Sequence, residues 1–176
     1  EVMDMTTFGA YVDFTAIQDL GISLGYTGFV LGNDDSDAKK SVYSGIDLRA
    51  TWTGIEGLSL SIHNNVSFAK GEDWYYQRED DSSFFTLYNN IGVTKELNEK
   101  FSVNADIGNI FSKTDAKSPA GDQKIEHNNF WGGLKLITSL TENTEFTLGA
   151  KIDLQKNKDE DMVTVFSVPV GITVSF

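Results

Sequence analysis

The alternation of apolar and polar residues at a period of two is the feature that most restricts the fold of this sequence. In nine segments the side chains of one parity are mostly large and apolar, and those of the other parity are mostly Ser, Thr, Gly or Asn. Because successive side chains of a β-strand point to opposite faces, each segment is predicted to be a strand. The segments are 8–14, 22–30, 42–52, 58–68, 85–94, 101–111, 130–136, 146–154 and 166–176.

The connections between these segments alternate between short and long. Short turns are predicted at 18–21, 53–57, 96–100 and 141–144, and longer polar loops at 32–40, 70–83, 113–129 and 155–162. Consecutive strands joined by tight turns are antiparallel. No linker or change of composition divides the chain, so residues 1–176 are predicted to form a single all-β domain.

Composition excludes several classes of protein. Hydrophobic residues make up 40% of the chain, and no apolar run approaches the ~20 residues that a membrane-spanning helix needs. Strands of a transmembrane barrel need only ~9–11 residues, of which half are polar. The chain has no cysteine, which excludes disulfides and Cys-based metal sites. Its formal charge of −12 argues against nucleic acid as a partner.

Alternation alone does not distinguish a membrane barrel from a soluble calyx whose apolar face lies inside. Three features favour an apolar face that points outward into lipid. The polar parity consists of small residues rather than Lys and Glu, and most charges fall in the predicted loops. Aromatic residues also recur at the ends of the apolar faces, as in the interfacial girdles of membrane barrels. They are Phe8, Phe14, Trp52, Phe68, Phe85, Phe101, Phe111, Phe130, Phe146, Phe166 and Phe176.

The last segment carries a family resemblance. Residues 166–176 read FSVPVGITVSF, with an alternating apolar set that ends on an aromatic residue at the carboxyl terminus. This end resembles the C-terminal assembly signal of bacterial outer-membrane β-barrel proteins. The resemblance implies an antiparallel transmembrane β-barrel in the outer membrane, with lipid and the barrel-assembly machinery as partners. The signal set is Phe166, Val168, Val170, Ile172, Val174 and Phe176. Pro169, on the polar parity, lacks a donor, and we expect it to cost one ladder bond or to form a bulge.

The parity of the strands leads to a further expectation. If the long loops are external, the ninth strand ends in the periplasm and the first strand starts outside. Single-chain bacterial barrels normally have an even number of strands. About nine strands are visible, so at least one partner strand is expected to be missing and the full barrel to have about ten or more. The missing strand is expected in an upstream barrel segment or, as an alternative, in residues 1–5, where the pattern shows none. A homo-oligomer is a further candidate partner. The chain alone is therefore expected not to close.

Charged and polar residues of the polar parity are the candidates for lining a lumen. They are Asp13, Asp47, Arg49, His63, Tyr88, Asp106, Lys135, Lys151 and Asp153. In a wide lumen this mixed-sign set would line a pore, and in a narrow one it would pair across strands and plug the interior. Ser61, His63 and Asp47 contain the residue types of a catalytic triad, but no local motif joins them, so no catalytic site is predicted.

Two features of the predicted loops complete the candidate sites. Trp74, Tyr75 and Tyr76 are predicted to contact a partner or interface, or to fold inward at the mouth of the barrel. The acidic run that starts at Asn33 lacks the Gly and Glu of a calcium-binding EF-hand loop, so no metal or cofactor is predicted.

The function expected from these features is a porin-like channel for small solutes, without enzymatic activity. Two alternatives stay open at this stage. One is a structural or adhesin barrel with a plugged lumen, and the other is a soluble ligand-binding β-barrel.

Overall fold

The structure, a computed structural model, describes residues 3–33, 41–70, 82–117 and 121–175. Phe176 and the predicted contact residues Trp74, Tyr75 and Tyr76 lie outside these ranges. The described residues form ten strands. These are β1 (Met3–Ile17), β2 (Leu20–Asn33), β3 (Ser41–Ile55), β4 (Leu58–Lys70), β5 (Ser83–Asn98), β6 (Phe101–Ala116), β7 (Gln123–Thr141), β8 (Thr144–Asn157), β9 (Val163–Ser167) and β10 (Val170–Val174).

The strands form one antiparallel sheet in which each neighbour in sequence is also a neighbour in space. The order runs from β1 to β8, and β8 then pairs with both β9 and β10. Two-residue turns occur at 18–19, 56–57, 99–100 and 142–143, which confirms the four predicted short connections. In the first two of these turns the second residue, Asp19 or Gly57, has a positive φ angle, of 59° and 66° respectively. The prediction of an all-β antiparallel fold is thus confirmed.

Strands β1 to β8 are longer than the sequence pattern indicated. β6 continues to Ala116 and β7 begins at Gln123, whereas a polar loop was predicted over 113–129. In this extension Lys113 pairs with Glu126 and Asp115 with Lys124 across the two strands. These charged residues occupy the parity that is apolar elsewhere in β6 and β7, so they hide the period-two signal, although they are compatible with the ladder. The predicted loop boundaries here were wrong for this reason.

The predicted ninth strand is interrupted at Pro169. It begins earlier than expected, at Val163, and is divided into β9 and β10. Ser167 lies opposite Lys151 and Val170 opposite Leu148, so both parts follow one register along β8. Pro169 therefore faces Gly149, and its carbonyl oxygen accepts the Gly149 N–H at 2.9 Å. Its missing N–H also faces β8, so the expected loss of one ladder bond accounts for the interruption without a bulge.

The sheet is open. Among the described residues, β1 pairs only with β2, and β9 and β10 pair only with β8. The expectation that these strands do not close a barrel on their own is confirmed. The described ranges contain no helix that is long and apolar enough to cross a membrane.

Burial in this sheet is the reverse of that in a globular protein, because polar side chains are buried and apolar ones are exposed. No hydrophobic side chain is buried among the described residues, whereas Asp47 and Asp153 are only 5% and 7% exposed. Leu24, Ile91 and Ile107 are among the many large apolar side chains that are more than half exposed. We call the face that carries Asp47 and Asp153 the polar face and the opposite one the apolar face.

Candidate functional site

All nine candidate lumen residues project from the polar face. The register of neighbouring strands places Asp13, Ser23, Arg49, His63 and Asn90 in one transverse row, because antiparallel partners share a face. The row continues through Gly108 and Trp131 to Asp153. The rows on either side hold Asp47 with Tyr88, and Asp106 with Lys151. Lys135 lies one row further, opposite Asn104.

A first cluster of contacts surrounds Asp47 on β3. Its carboxylate accepts a hydrogen bond from Arg49 Nε at 2.7 Å and lies 2.7 Å from His63 Nε2. Asn65 Nδ2 donates to the same carboxylate at 3.4 Å, and Asn65 Oδ1 accepts a hydrogen bond from the Ser67 hydroxyl at 2.8 Å. Arg49 is 57% exposed, so water screens the charge of its guanidinium group, and the hydrogen bonds from His63 and Asn65 supply further support for the buried carboxylate.

A second cluster surrounds Asp106 on β6. Trp131 Nε1 donates to its Oδ2 atom at 3.2 Å, and Asn90 Nδ2 approaches the same oxygen at 3.5 Å. Lys135 Nζ lies 3.9 Å from Oδ1. Both register partners of Asp106, Gly92 and Gly133, are glycines. A Cβ atom at Gly133 would come within 2.9 Å of Asp106 Oδ1, so a glycine there leaves room for this carboxylate.

A third cluster lies on β8. Lys151 Nζ donates to Asp153 Oδ1 at 2.8 Å, and Asn129 Nδ2 donates to the same oxygen at 3.2 Å. Lys151 Nζ also lies 5.5 Å from the centre of the Trp131 ring, within cation–π range. The two cations on this side of the face, Lys135 and Lys151, thus lie next to carboxylates.

Aromatic rings connect the three clusters. Tyr88 lies 5.0 Å from His63 and 5.5 Å from Trp131 between ring centres. The Trp131 ring lies over Gly108, where a Cβ atom would be only 2.2 Å from it. A continuous network of polar and aromatic side chains therefore runs across the polar face from β3 to β8. We call it the polar network.

A cavity of about 510 Å³ opens on the polar face beside this network. Its walls include Ser61, Tyr88, Asp106, Trp131, Lys135 and Lys151. These residues come from β4 to β8. Pro169, which lies between β9 and β10, is a further wall residue. The cavity has room for a small hydrophilic solute in contact with carboxylate, ammonium and amide groups.

The structure brings together eight of the nine predicted residues. Asp13 lies on the same face but is exposed on β1, away from the polar network. Trp131, Asn65 and Asn129 also belong to the polar network, although they were not predicted as site residues. The polar parity of Trp131 could have indicated it from the sequence, whereas its glycine partner Gly108 is revealed only by the β6–β7 register.

The residue types of a catalytic triad are only partly assembled. His63 contacts Asp47, but the Ser61 hydroxyl donates to the Gly92 carbonyl oxygen at 3.4 Å rather than to the imidazole. Within the described ranges, no three His, Asp or Glu side chains are grouped so that they could hold a metal ion.

Comparisons with known proteins add no family to this description. No protein-family model matches the chain, and neither the curated proteins nor the solved structures gave a significant match.

Proposed function

We propose that the chain forms the wall of an outer-membrane β-barrel of the porin-like kind, with its apolar face in lipid and its polar face along a passage for small hydrophilic solutes. The observation that carries the proposal is the inverted burial of the sheet. Carboxylates such as Asp47 and Asp153 are buried, while the large apolar side chains are exposed. A single-layer sheet with this distribution needs an apolar solvent on one side.

The direction of crowding favours this proposal over a soluble calyx. In β5, Tyr88 and Asn90 on the polar face are half-buried, whereas Ile91 and Val93 on the apolar face are exposed. Side chains crowd one another on the concave side of a curved sheet. The difference therefore supports a wall that curves toward its polar face, whereas a soluble calyx would curve toward its apolar face.

The height of the apolar face also fits a bilayer. On β6 it runs from Phe101 to Phe111, which is about 33 Å along a strand that rises ~3.3 Å per residue. At the ~40° tilt usual in such barrels this becomes about 25 Å, the height of their apolar band. The ion pair between Lys113 and Glu126 follows directly beyond Phe111. Phe68 and Phe85 lie opposite each other near the same end, as in an aromatic girdle.

The polar network favours a second candidate, a barrel whose lumen is plugged. Asp47 with Arg49, Asp106 with Lys135, and Asp153 with Lys151 neutralise one another in place. In both candidates the barrel is completed by strands beyond the described sheet, from an upstream segment or from another copy of the chain.

Conductance across a planar lipid bilayer tests the proposed passage. We expect discrete conductance steps from the protein reconstituted together with the strands that complete its barrel, and a larger step after Trp131→Ala, which removes a large ring from the polar face. Phe130→Ala is the matched control, because the adjacent ring lies on the apolar face and is 51% exposed. Inserted protein without conductance at any voltage would contradict the channel and favour the plugged barrel.

A further inference from the structure

Four asparagines interrupt the apolar face. Asn64, Asn89 and Asn109 lie directly opposite one another on β4, β5 and β6. Asn64 Nδ2 donates to Asn89 Oδ1 at 2.6 Å, and Asn109 Nδ2 donates to Asn128 Oδ1 on β7 at 2.5 Å. Asn128 lies one register line further along the strands, opposite Phe111. We call these four residues the asparagine row.

The depth of these residues along the strands does not explain their polarity. The same transverse row continues on β3, β2 and β1 as Leu48, Leu24 and Val12. On the other side it continues as Phe130 and Leu154. In strands tilted by ~40°, the partners next to the row, Leu48 and Phe130, lie slightly above and below it in the membrane, so apolar side chains bracket the depth of the asparagines. The sector of β4 to β6 must therefore meet something different from acyl chains.

The asparagine row is also enclosed by apolar residues. Toward the short turns its neighbours are Ile62, Ile91 and Ile107, which are register partners of one another. Toward the long connections its neighbours are Val66, Leu87 and Phe111, again in one register line. These apolar residues separate Asn64, Asn89 and Asn109 from the charged strand ends, so polar surroundings at that end do not account for these three amides.

The hydrogen bonds within the row leave a self-complementary pattern. A side-chain amide has two N–H donors and one acceptor oxygen. Among the described contacts, the Oδ1 atoms of Asn64 and Asn109 accept no bond, and the Nδ2 atoms of Asn89 and Asn128 donate none. Each pair of asparagines thus has an unused acceptor oxygen on one residue and an unused NH₂ group on the other. Two identical rows related by a two-fold axis would satisfy each other, as isologous interfaces do.

We infer that the apolar sector around the asparagine row is the contact between two copies of this chain in the membrane plane. Amides in hydrocarbon gain from hydrogen bonds to a neighbouring protein, and membrane interfaces use Asn side chains in this way. This contact joins the faces of two sheets and differs from pairing at the open edges. The inference depends on the proposed position of the apolar face in lipid.

Cross-linking of single-cysteine variants tests this inference. The chain has no cysteine of its own, so Asn89→Cys carries a single thiol. Leu24→Cys is the matched control, because Leu24 lies in the same transverse row on β2. In vesicles of dilauroylphosphatidylcholine with a short thiol cross-linker, we expect a dimer from Asn89→Cys and almost none from Leu24→Cys. Equal cross-linking of the two variants would overturn the inference.

A second measurement protects the test from a folding defect. In the double variant Asn89→Leu with Asn109→Leu we expect self-association to weaken roughly tenfold. This is the effect of losing one or two hydrogen bonds between neighbouring proteins in a membrane. Vesicle flotation and the mobility of unheated protein on SDS gels report whether each variant is inserted and folded. Unchanged association of the double variant, or a monomeric inserted wild type, refutes the contact but leaves the proposed function intact. Wild-type protein that has the strands completing its barrel and still does not float with vesicles refutes the proposed function and the contact together.

Discussion

Asp47 shows at the scale of one residue how this sheet holds charge. It is 5% exposed in a molecule whose described apolar side chains are all more accessible than that. Its carboxylate contacts Arg49 and His63, each at 2.7 Å, and Asn65 at 3.4 Å. A buried carboxylate of this kind persists because its lost hydration is replaced by donors in fixed positions.

Replacement of Asp47 by Asn is expected to lower stability by about 1–3 kcal/mol, because the Arg49 and His63 nitrogens lose their charged acceptor. The midpoint of urea unfolding in detergent micelles measures the change. Asp13→Asn is the matched control, because Asp13 has the same side chain on the same face but is exposed. We expect its midpoint to move by less than the equivalent of ~0.5 kcal/mol. Equal effects of the two substitutions would show that the contacts of Asp47 contribute nothing.

The C-terminal pair of strands shows at the scale of an element how one residue divides a strand. β9 and β10 share one register along β8, and Pro169 lies between them opposite Gly149. The odd-numbered residues of this segment direct their backbone groups toward β8, as Ser175 does when it donates to Asn143. The even-numbered residues, including Val168 and Val170, direct theirs toward the open edge.

Replacement of Pro169 by Val is expected to join β9 and β10, because the new N–H faces the Gly149 carbonyl oxygen. We expect slower amide hydrogen exchange over residues 163–174 and a gain in stability of up to about 1 kcal/mol, the usual net value of one hydrogen bond. Hydrogen exchange followed by mass spectrometry measures the protection. Val168→Thr serves as the control, since it adds no donor toward β8. Exchange that is as fast as in the wild type would refute this account of the interruption.

At the scale of the whole molecule, the open ten-stranded sheet has two faces with opposite requirements. The apolar face has no partner layer within the described residues, and the polar face holds the buried charges and the cavity. The parity of every strand makes this sidedness consistent from β1 to β10, because a register slip of one residue would mix the two sets.

A lysine scan of β3 tests which face meets lipid. Leu48→Lys on the apolar face is expected to destabilise the inserted state by about 2–4 kcal/mol near the bilayer midplane and by less toward its interfaces. Thr51→Lys on the polar face of the same strand is expected to cost less than ~0.5 kcal/mol. Reversible unfolding from lipid vesicles measures both. A larger cost for Thr51→Lys would contradict the proposed orientation.

Much of the fold follows from local properties of the sequence. Period-two alternation and the short turns predicted the strands, their antiparallel order and the common face of Asp47, His63 and Asp106. These features depend on side-chain parity and turn geometry, which act over a few residues. Strand ends such as 113–116 were missed because their polar residues carry no alternation.

Only the tertiary structure decided which residues meet across strands. The contact of Trp131 with Asp106, the alignment of Asn64, Asn89 and Asn109, and the register that β9 shares with β10 depend on pairing between distant segments. The parity of the strands had already predicted that the sheet stays open, and the assembled sheet shows that β1 forms one edge and β9 with β10 the other. By itself the sequence determined two chemically distinct faces, because alternation is a local pattern. The register determined the polar network and the asparagine row, because hydrogen-bonded ladders bring together residues that the sequence keeps apart.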